Sequence, residues 1–108
     1  MTYTPDATTP PDAQALADQM QQTLEQVFEL ALNHHQNGQH KEAEELYRTV
    51  LEFQPEHPDA NHNLGVLAMM QQQPTAGLEH LRLALVGDTE REQFWLSYVD
   101  ALLQAGEV

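Results

Sequence analysis

Apolar residues recur along this chain at helical spacing, and the pattern repeats. Leu16, Met20, Leu24, Val27 and Ala31 fall three and four apart, one stripe of an amphipathic helix. The stripe begins near Pro11-Asp12, where proline suits a first turn, and runs on to about Gln36. Asn37-Gly38 ends it, with glycine suited to the left-handed conformation that follows a helix C-cap. A second helix is predicted from about His40 to Phe53, a third from Pro58 to Gln71, a fourth from Gln73-Pro74 to just before Gly87. Thr89 and Glu92 read as a capping box for a fifth, from about Glu90 to Ala105. Residues 1–11, rich in Thr and Pro and without apolar periodicity, are expected to form a disordered arm.

Shifting the sequence by 34 residues lays Leu30 on Leu64 and Tyr98, and Ala31 on Gly65 and Val99. In the second helix of the unit the same shift lays Ala43 on Gly77, Tyr47 on Leu81, Val50 on Ala84 and Leu51 on Leu85. Small residues meet small ones and large apolar residues meet apolar ones, the mark of stacked helical repeats. Leu30-Ala31, Ala43-x-x-x-Tyr47 and Pro55, then Leu64-Gly65, Gly77 and Leu81, then Trp95-x-x-Tyr98-Val99, together resemble the tetratricopeptide repeat (TPR) family. The resemblance implies an all-α fold: TPR-type antiparallel helix hairpins stacked in a short right-handed solenoid of about five helices. The domain would span 12–108, with repeats at about 24–57 and 58–91 and a half repeat at 92–108. His34 and Thr89 depart from the family's aromatic and proline, and His34 is read as a packing residue. Trp95 coincides with the family's packing tryptophan and is expected in the core. The stretches Glu42–Ala68 and Arg91–Glu107 also resemble the TPR region of bacterial O-linked N-acetylglucosamine transferase-like proteins. That likeness implies a substrate-positioning segment of a larger glycosyltransferase-like protein.

Gln104-Ala105-Gly106 repeats the turn at Gln36-Asn37-Gly38, so the sequence stops where another helix is expected. The fifth helix is apolar nearly all round, through Phe94, Trp95, Leu96, Tyr98, Val99, Leu102 and Leu103, and such a helix expects burial on every face. A piece of a longer protein is the favoured reading; the alternative is self-association. The early turns of the first helix are expected to cap the open end of the stack.

Charge narrows the partners. Seventeen acids against four bases give a formal net charge of −13, a field that repels phosphate backbones, so no nucleic acid partner is expected. No stretch is long and apolar enough for a membrane span, and the first residues lack the basic and apolar regions of a signal peptide. The absence of cysteine excludes disulfides and thiolate metal sites and fits a cytoplasmic location. Six histidines invite a metal reading, but none are paired at i, i+4 spacing on a helix with a completing carboxylate, so no metal or other cofactor is expected. Glu42, Glu44 and Glu45 lie on a face expected to be wet, where nothing raises a carboxyl pKa for acid–base work. No nucleophile–base pair or phosphate-binding loop is present, and the chain is read as a binding module, not an enzyme.

In the family, the first helices of successive repeats line a concave groove. By register these are Phe28, Glu29, Leu32 and His35, then His62, Asn63, Val66, Met69 and Met70, then Gln93, Leu96, Ser97 and Asp100. Asn63 matches an asparagine with which family members hold a peptide backbone. The cations that grip a carboxylate tail in chaperone-binding members are replaced by Phe28, Leu32, Gln93 and Ser97. The groove is therefore expected to take a protein or peptide of apolar or basic character, such as an amphipathic helix. A homodimer, or the chain's own first helix, covering Phe28, Leu32 and Met69 is the competing expectation.

Overall fold

A computed structural model describes residues 12–106, so the expected arm at 1–11 lies outside the described residues. Five helices follow one another: α1 Ala13–Gln36, α2 His40–Phe53, α3 Pro58–Met70, α4 Pro74–Gly87 and α5 Glu92–Ala105. Each packs against its neighbours in sequence, and α3 also touches α5. The result is an elongated stack, 66 × 28 × 20 Å.

The predicted helices and the observed ones agree within two residues, and the turns show why. Gly38 adopts φ +75°, Gly38 N–H donates to His35 O (3.1 Å), and Gln39 N–H reaches back to His34 O (2.8 Å). This double closure satisfies carbonyls that a helix end otherwise leaves unpaired. The same left-handed position returns 34 residues on at Gln72 (φ 60°), with Gln73 N–H on Ala68 O (2.8 Å), and again at Gly106 (φ 73°). Gln72 therefore holds a conformation that its Cβ disfavours by about 1–2 kcal/mol. Gln72→Gly is expected to stabilise the protein by about 0.5 kcal/mol after the extra entropy of an unfolded glycine is deducted. A urea midpoint that falls instead of rising would show that the Gln72 side chain contributes contacts of its own.

The expected capping box at the start of α5 does not form. Arg91 is the N-cap without a side-chain bond, and the helix begins at Glu92. Asp88 Oδ1 accepts from Glu90 N–H (3.1 Å), while the Trp95 indole Nε1–H donates to the Thr89 carbonyl (2.8 Å). Those bonds place Thr89 and Glu90 in a turn ahead of the helix, so Thr89 is not at the N-cap position.

The first core cluster joins α1, α2 and α3 through Ala31, Ala43, Tyr47, Val50, Ala60, Leu64 and Leu67, all at 3% exposure or less. A second joins α4 and α5 through Ala84, Leu85 and Phe94, with Tyr98 packed against it. Where the first hairpin meets through Ala31 and Ala43, the second meets through Gly65 and Gly77. A Cβ on Gly65 would lie 2.6 Å from Leu81 Cγ, and one on Gly77 2.5 Å from Met69 Sδ. Helices α3 and α4 thus approach too closely for even a methyl group, and the middle hairpin is the tightest in the stack.

Four expectations fail, three of them at the ends. Trp95 is 47% exposed, because among the described residues no helix lies on the outer face of α5. Only Phe94 and Ala101 of that helix are buried, against the burial expected on every face. The early turns of α1 are exposed, with Leu16 and Met20 beside a half-exposed Phe53, and cover nothing. His34 is half-buried, its Nδ1 paired with Gln39 Oε1 (2.6 Å), a polar contact in place of the expected core packing.

Candidate peptide groove

Helices α1, α3 and α5, the first members of successive hairpins, carry the residues predicted to bind a partner. Between α3 and α5 lies a cleft of about 200 Å³. Five predicted residues line it: Val66, Met69, Met70, Ser97 and Asp100. Leu81, Ala101 and Gln104 complete it. The floor is apolar because Leu81 and Ala101 are core residues of α4 and α5 seen from one side. Asp100 sits at the rim, its Oδ2 accepting from Gln104 Nε2–H (2.7 Å), and Met70 is 57% exposed beside it. Leu96 is 62% exposed on α5, and Gln93 is exposed one turn before Ser97. No lining residue of this cleft is basic.

A second, wider depression, about 650 Å³, lies along α1, where Glu29, Glu25 and Gln22 surround Phe28 and His57. Phe28 and Leu32 are not the freely exposed groove residues the register predicts. Both are half-buried against the Tyr47 cluster, and the Phe28 ring lies 5.8 Å from Tyr47 and 4.9 Å from His57. A charge introduced at Leu32 would therefore strike the core as well as any partner.

His62 departs furthest from the expectation. It is 6% exposed, stacked on Phe94 at 4.7 Å, and its Nε2 meets Ser97 Oγ at 2.8 Å. It is a fastening between α3 and α5 and not a surface contact. Arg91, bonded to Asp59 Oδ1 (2.7 Å), covers the other face of Phe94 at 4.3 Å. Burial lowers the His62 pKa, opposed by its bond to Asn63 and by Asp59 and reinforced by Arg91.

His35 on α1 and Asn63 on α3 are half-buried and line neither depression; they are joined through a residue that the pattern identified only as core. Asn63 Nδ2–H donates to Tyr47 Oη (3.2 Å), and Tyr47 Oη lies 3.0 Å from His35 Nδ1. Tyr47 is fully buried, hydroxyl included, and burial pushes its pKa up to about 12 despite the bond from Asn63. Burial, then the neighbouring His40, lowers the pKa of His35. Tyrosine in place of an apolar residue at a core position was the available signal, since a buried hydroxyl demands partners.

Charge is distributed as one sign. The three arginines are each spent on an acid: Arg48 on Glu44 (2.9 Å), Arg82 on Glu79 (2.7 Å) and Arg91 on Asp59 (2.7 Å). Among the described residues no three His, Asp or Glu side chains converge as metal ligands, and no helix is long and apolar enough to cross a membrane.

Among the solved structures that share this architecture are two of the type III secretion translocator chaperone SycD of Yersinia enterocolitica. One, in complex with a peptide of the translocator YopD, superposes with a TM-score of 0.74 at 24% identity, covering 80% of this chain and 66% of that one. The other gives 0.74 at 22% identity, covering 92% and 74%. The fold is a TPR-like helical repeat. No protein-family model and no curated protein matches the chain, and likeness at these identities speaks to the fold alone. The chain spans just under two thirds of the length of the first neighbour.

Proposed function

We propose that this chain is a protein-interaction module, without catalysis of its own, whose α1–α3–α5 face holds a peptide or amphipathic helix. The observation that carries the reading is the open cleft between α3 and α5, apolar in its floor, acidic at its rim and lined by no basic residue. Such a cleft accepts an aliphatic or aromatic side chain, while Asp100 at its rim favours Lys or Arg beside it. Methionines at 69 and 70 can repack around side chains of different shape. Asn63, with one N–H and one lone pair beyond its internal bonds, can pair with an extended backbone. The net charge of −13 would speed the approach of a basic segment, an effect confined at physiological salt to about 8 Å. That a neighbour of the same fold was solved with a peptide bound supports the choice of ligand class.

The test is selection from a random peptide library, with binders measured against Met70→Glu/Leu96→Glu. Both side chains are more than half exposed, so far-UV dichroism and the melting temperature should not move. The selected peptides should combine apolar residues with Lys or Arg and lose roughly tenfold or more in affinity, about 1.4 kcal/mol. Peptides that bind the double variant as tightly as the wild type would move the site elsewhere.

One observation favours self-association as a second reading: Trp95, Val99 and Leu103 are each about half exposed along one side of α5. A mass that rises with concentration and reverts on Val99→Glu would establish it.

A further inference from the structure

Five side chains from four helices form a single unbroken line of hydrogen bonds that starts at Ser97 in the cleft and runs from α5 to α1. Ser97 Oγ meets His62 Nε2 (2.8 Å), His62 Nδ1 meets Asn63 Oδ1 (3.3 Å), Asn63 Nδ2 meets Tyr47 Oη (3.2 Å), and Tyr47 Oη meets His35 Nδ1 (3.0 Å). The chemistry of the groups sets its direction. An amide oxygen only accepts, so His62 carries its proton on Nδ1 and, being neutral, accepts from the Ser97 hydroxyl at Nε2. An amide nitrogen only donates, so Tyr47 accepts from Asn63 and must give its own hydrogen to His35 Nδ1. His35 is therefore protonated on Nε2. Every donor points from α5 toward α1.

We propose that this line is a polarity switch for the groove: it sets which way the Asn63 amide faces, and a proton on His35 turns the amide over. With Nδ1 protonated, His35 becomes a donor to Tyr47 Oη. The Tyr47 hydroxyl, fully buried, then has no acceptor in the original arrangement, and an orphaned buried donor is expensive. Reversal restores every bond. His35 donates to Tyr47, Tyr47 to Asn63 Oδ1, Asn63 Nδ2–H to His62 Nδ1, and His62 Nε2–H to Ser97 Oγ. The balance is one proton taken from solvent at His35; His62 releases one from Nδ1 and takes one at Nε2, and stays neutral. With both imidazoles neutral either direction is complete, and the structure adopts the first. With His35 charged only the second is complete.

His35 is the entry point because it is half-buried whereas His62 is buried. The charged and titratable groups around the two rings are few. His35 faces Tyr47 and, edge-on at 5.8 Å, His40, both on α2. His62 faces Asp59 on its own helix and Arg91 ahead of α5. Burial and His40 hold the His35 transition below the ordinary histidine value of about 6.5. Tyr47 and His35 are then positioning residues for Asn63, and the groove presents exchanged donor and acceptor patterns to a peptide backbone above and below that transition. The consequence for peptide binding rests on the function proposed above, but the switch itself is readable in the free protein.

The experiment is long-range 1H–15N correlation of the histidine rings through a pH titration, with the six histidines assigned by single substitutions. At pH 7.5 His62 should show the Nδ1–H tautomer and His35 the Nε2–H tautomer. As His35 gains its proton, His62 should change to Nε2–H while remaining neutral. In His35→Gln, whose amide oxygen still accepts from Tyr47, His62 should keep Nδ1–H through the same range. Tyr47→Phe, which keeps the ring and removes the hydroxyl, should likewise break the coupling. An Nε2–H tautomer for His62 at pH 7.5, or a His62 tautomer indifferent to the His35 titration, overturns the inference and leaves the groove reading untouched. A His62 tautomer that still follows His35 in the Tyr47→Phe variant also overturns it, because the coupling would then bypass the line.

Discussion

Replacing Tyr47 with alanine is expected to cost about 4–5 kcal/mol, near the upper end for truncating a buried aromatic side chain. The ring is fully buried where α1, α2 and α3 meet, among Ala31, Val50, Ala60 and Leu64, and its neighbours there are too small to collapse into the space. Truncation also strands Asn63 and His35, which lose their shared partner. Against a typical domain stability of about 5–15 kcal/mol, a loss of that size leaves the first hairpin marginal. Tyr47→Phe separates the two contributions. It keeps the packing and removes the hydroxyl, and should cost only about 1–2 kcal/mol. Urea unfolding followed by far-UV dichroism measures both. An alanine variant within about 1 kcal/mol of the phenylalanine variant would mean that the cluster around residue 47 is not the core of the stack.

Acidification is expected to destabilise the protein across a wide span of pH, starting near neutrality. His35, His62 and His80 all have folded-state pKa values lowered, in each case first by burial. His40 adds to this for His35, Arg91 for His62 and Arg48 for His80. Below the unfolded value of about 6.5 the unfolded chain therefore binds protons that the folded chain refuses. Stability is complete above that pH and falls as the pH drops from about 6.5 toward the folded values. Each refused proton contributes at most about 1.4 kcal/mol per pH unit. The Glu79 carboxyl, fully exposed and held low by its bond to Arg82, acts in the same direction, but only below about 4.5. Melting temperatures should be close at pH 7.5 and 6.5 and lower at pH 5.5, with a smaller fall in His80→Gln. A flat profile between pH 7.5 and 5.5 would contradict the burial of these rings.

The groove was legible in outline. Val66, Met69, Met70, Ser97 and Asp100 share one cleft as the repeat register placed them, because residues three and four apart on a helix share a face whatever packs beside it. The same register erred at the edges of that face. His62, Phe28 and Leu32 lie where one side of a helix passes into the next, and neighbouring helices decide which side claims them. His62 was claimed by Phe94 and Ser97 of α5, and Phe28 and Leu32 by the Tyr47 cluster. The hydrogen-bond line could not be read from spacing at all. Its members come from four helices, and only the tilt of one hairpin on the next brings a tyrosine hydroxyl within reach of an asparagine 16 residues away.

The amino-acid sequence by itself determined the helices, their order and the 34-residue recurrence of small against large residues. It also determined the turn that closes at Gly38 and returns at Gly106, whereas the left-handed conformation of Gln72, which its side chain disfavours, came with the stack. The helices, their period and the glycine turns are local matters of backbone geometry. Burial is not local. Leu30 and Leu64 are the same residue at the same repeat position, yet Leu30 is 48% exposed and Leu64 3%. Leu64 has a preceding hairpin packed on its face, and among the described residues Leu30 has none. That difference belongs to the neighbour, and only the assembled stack supplies one.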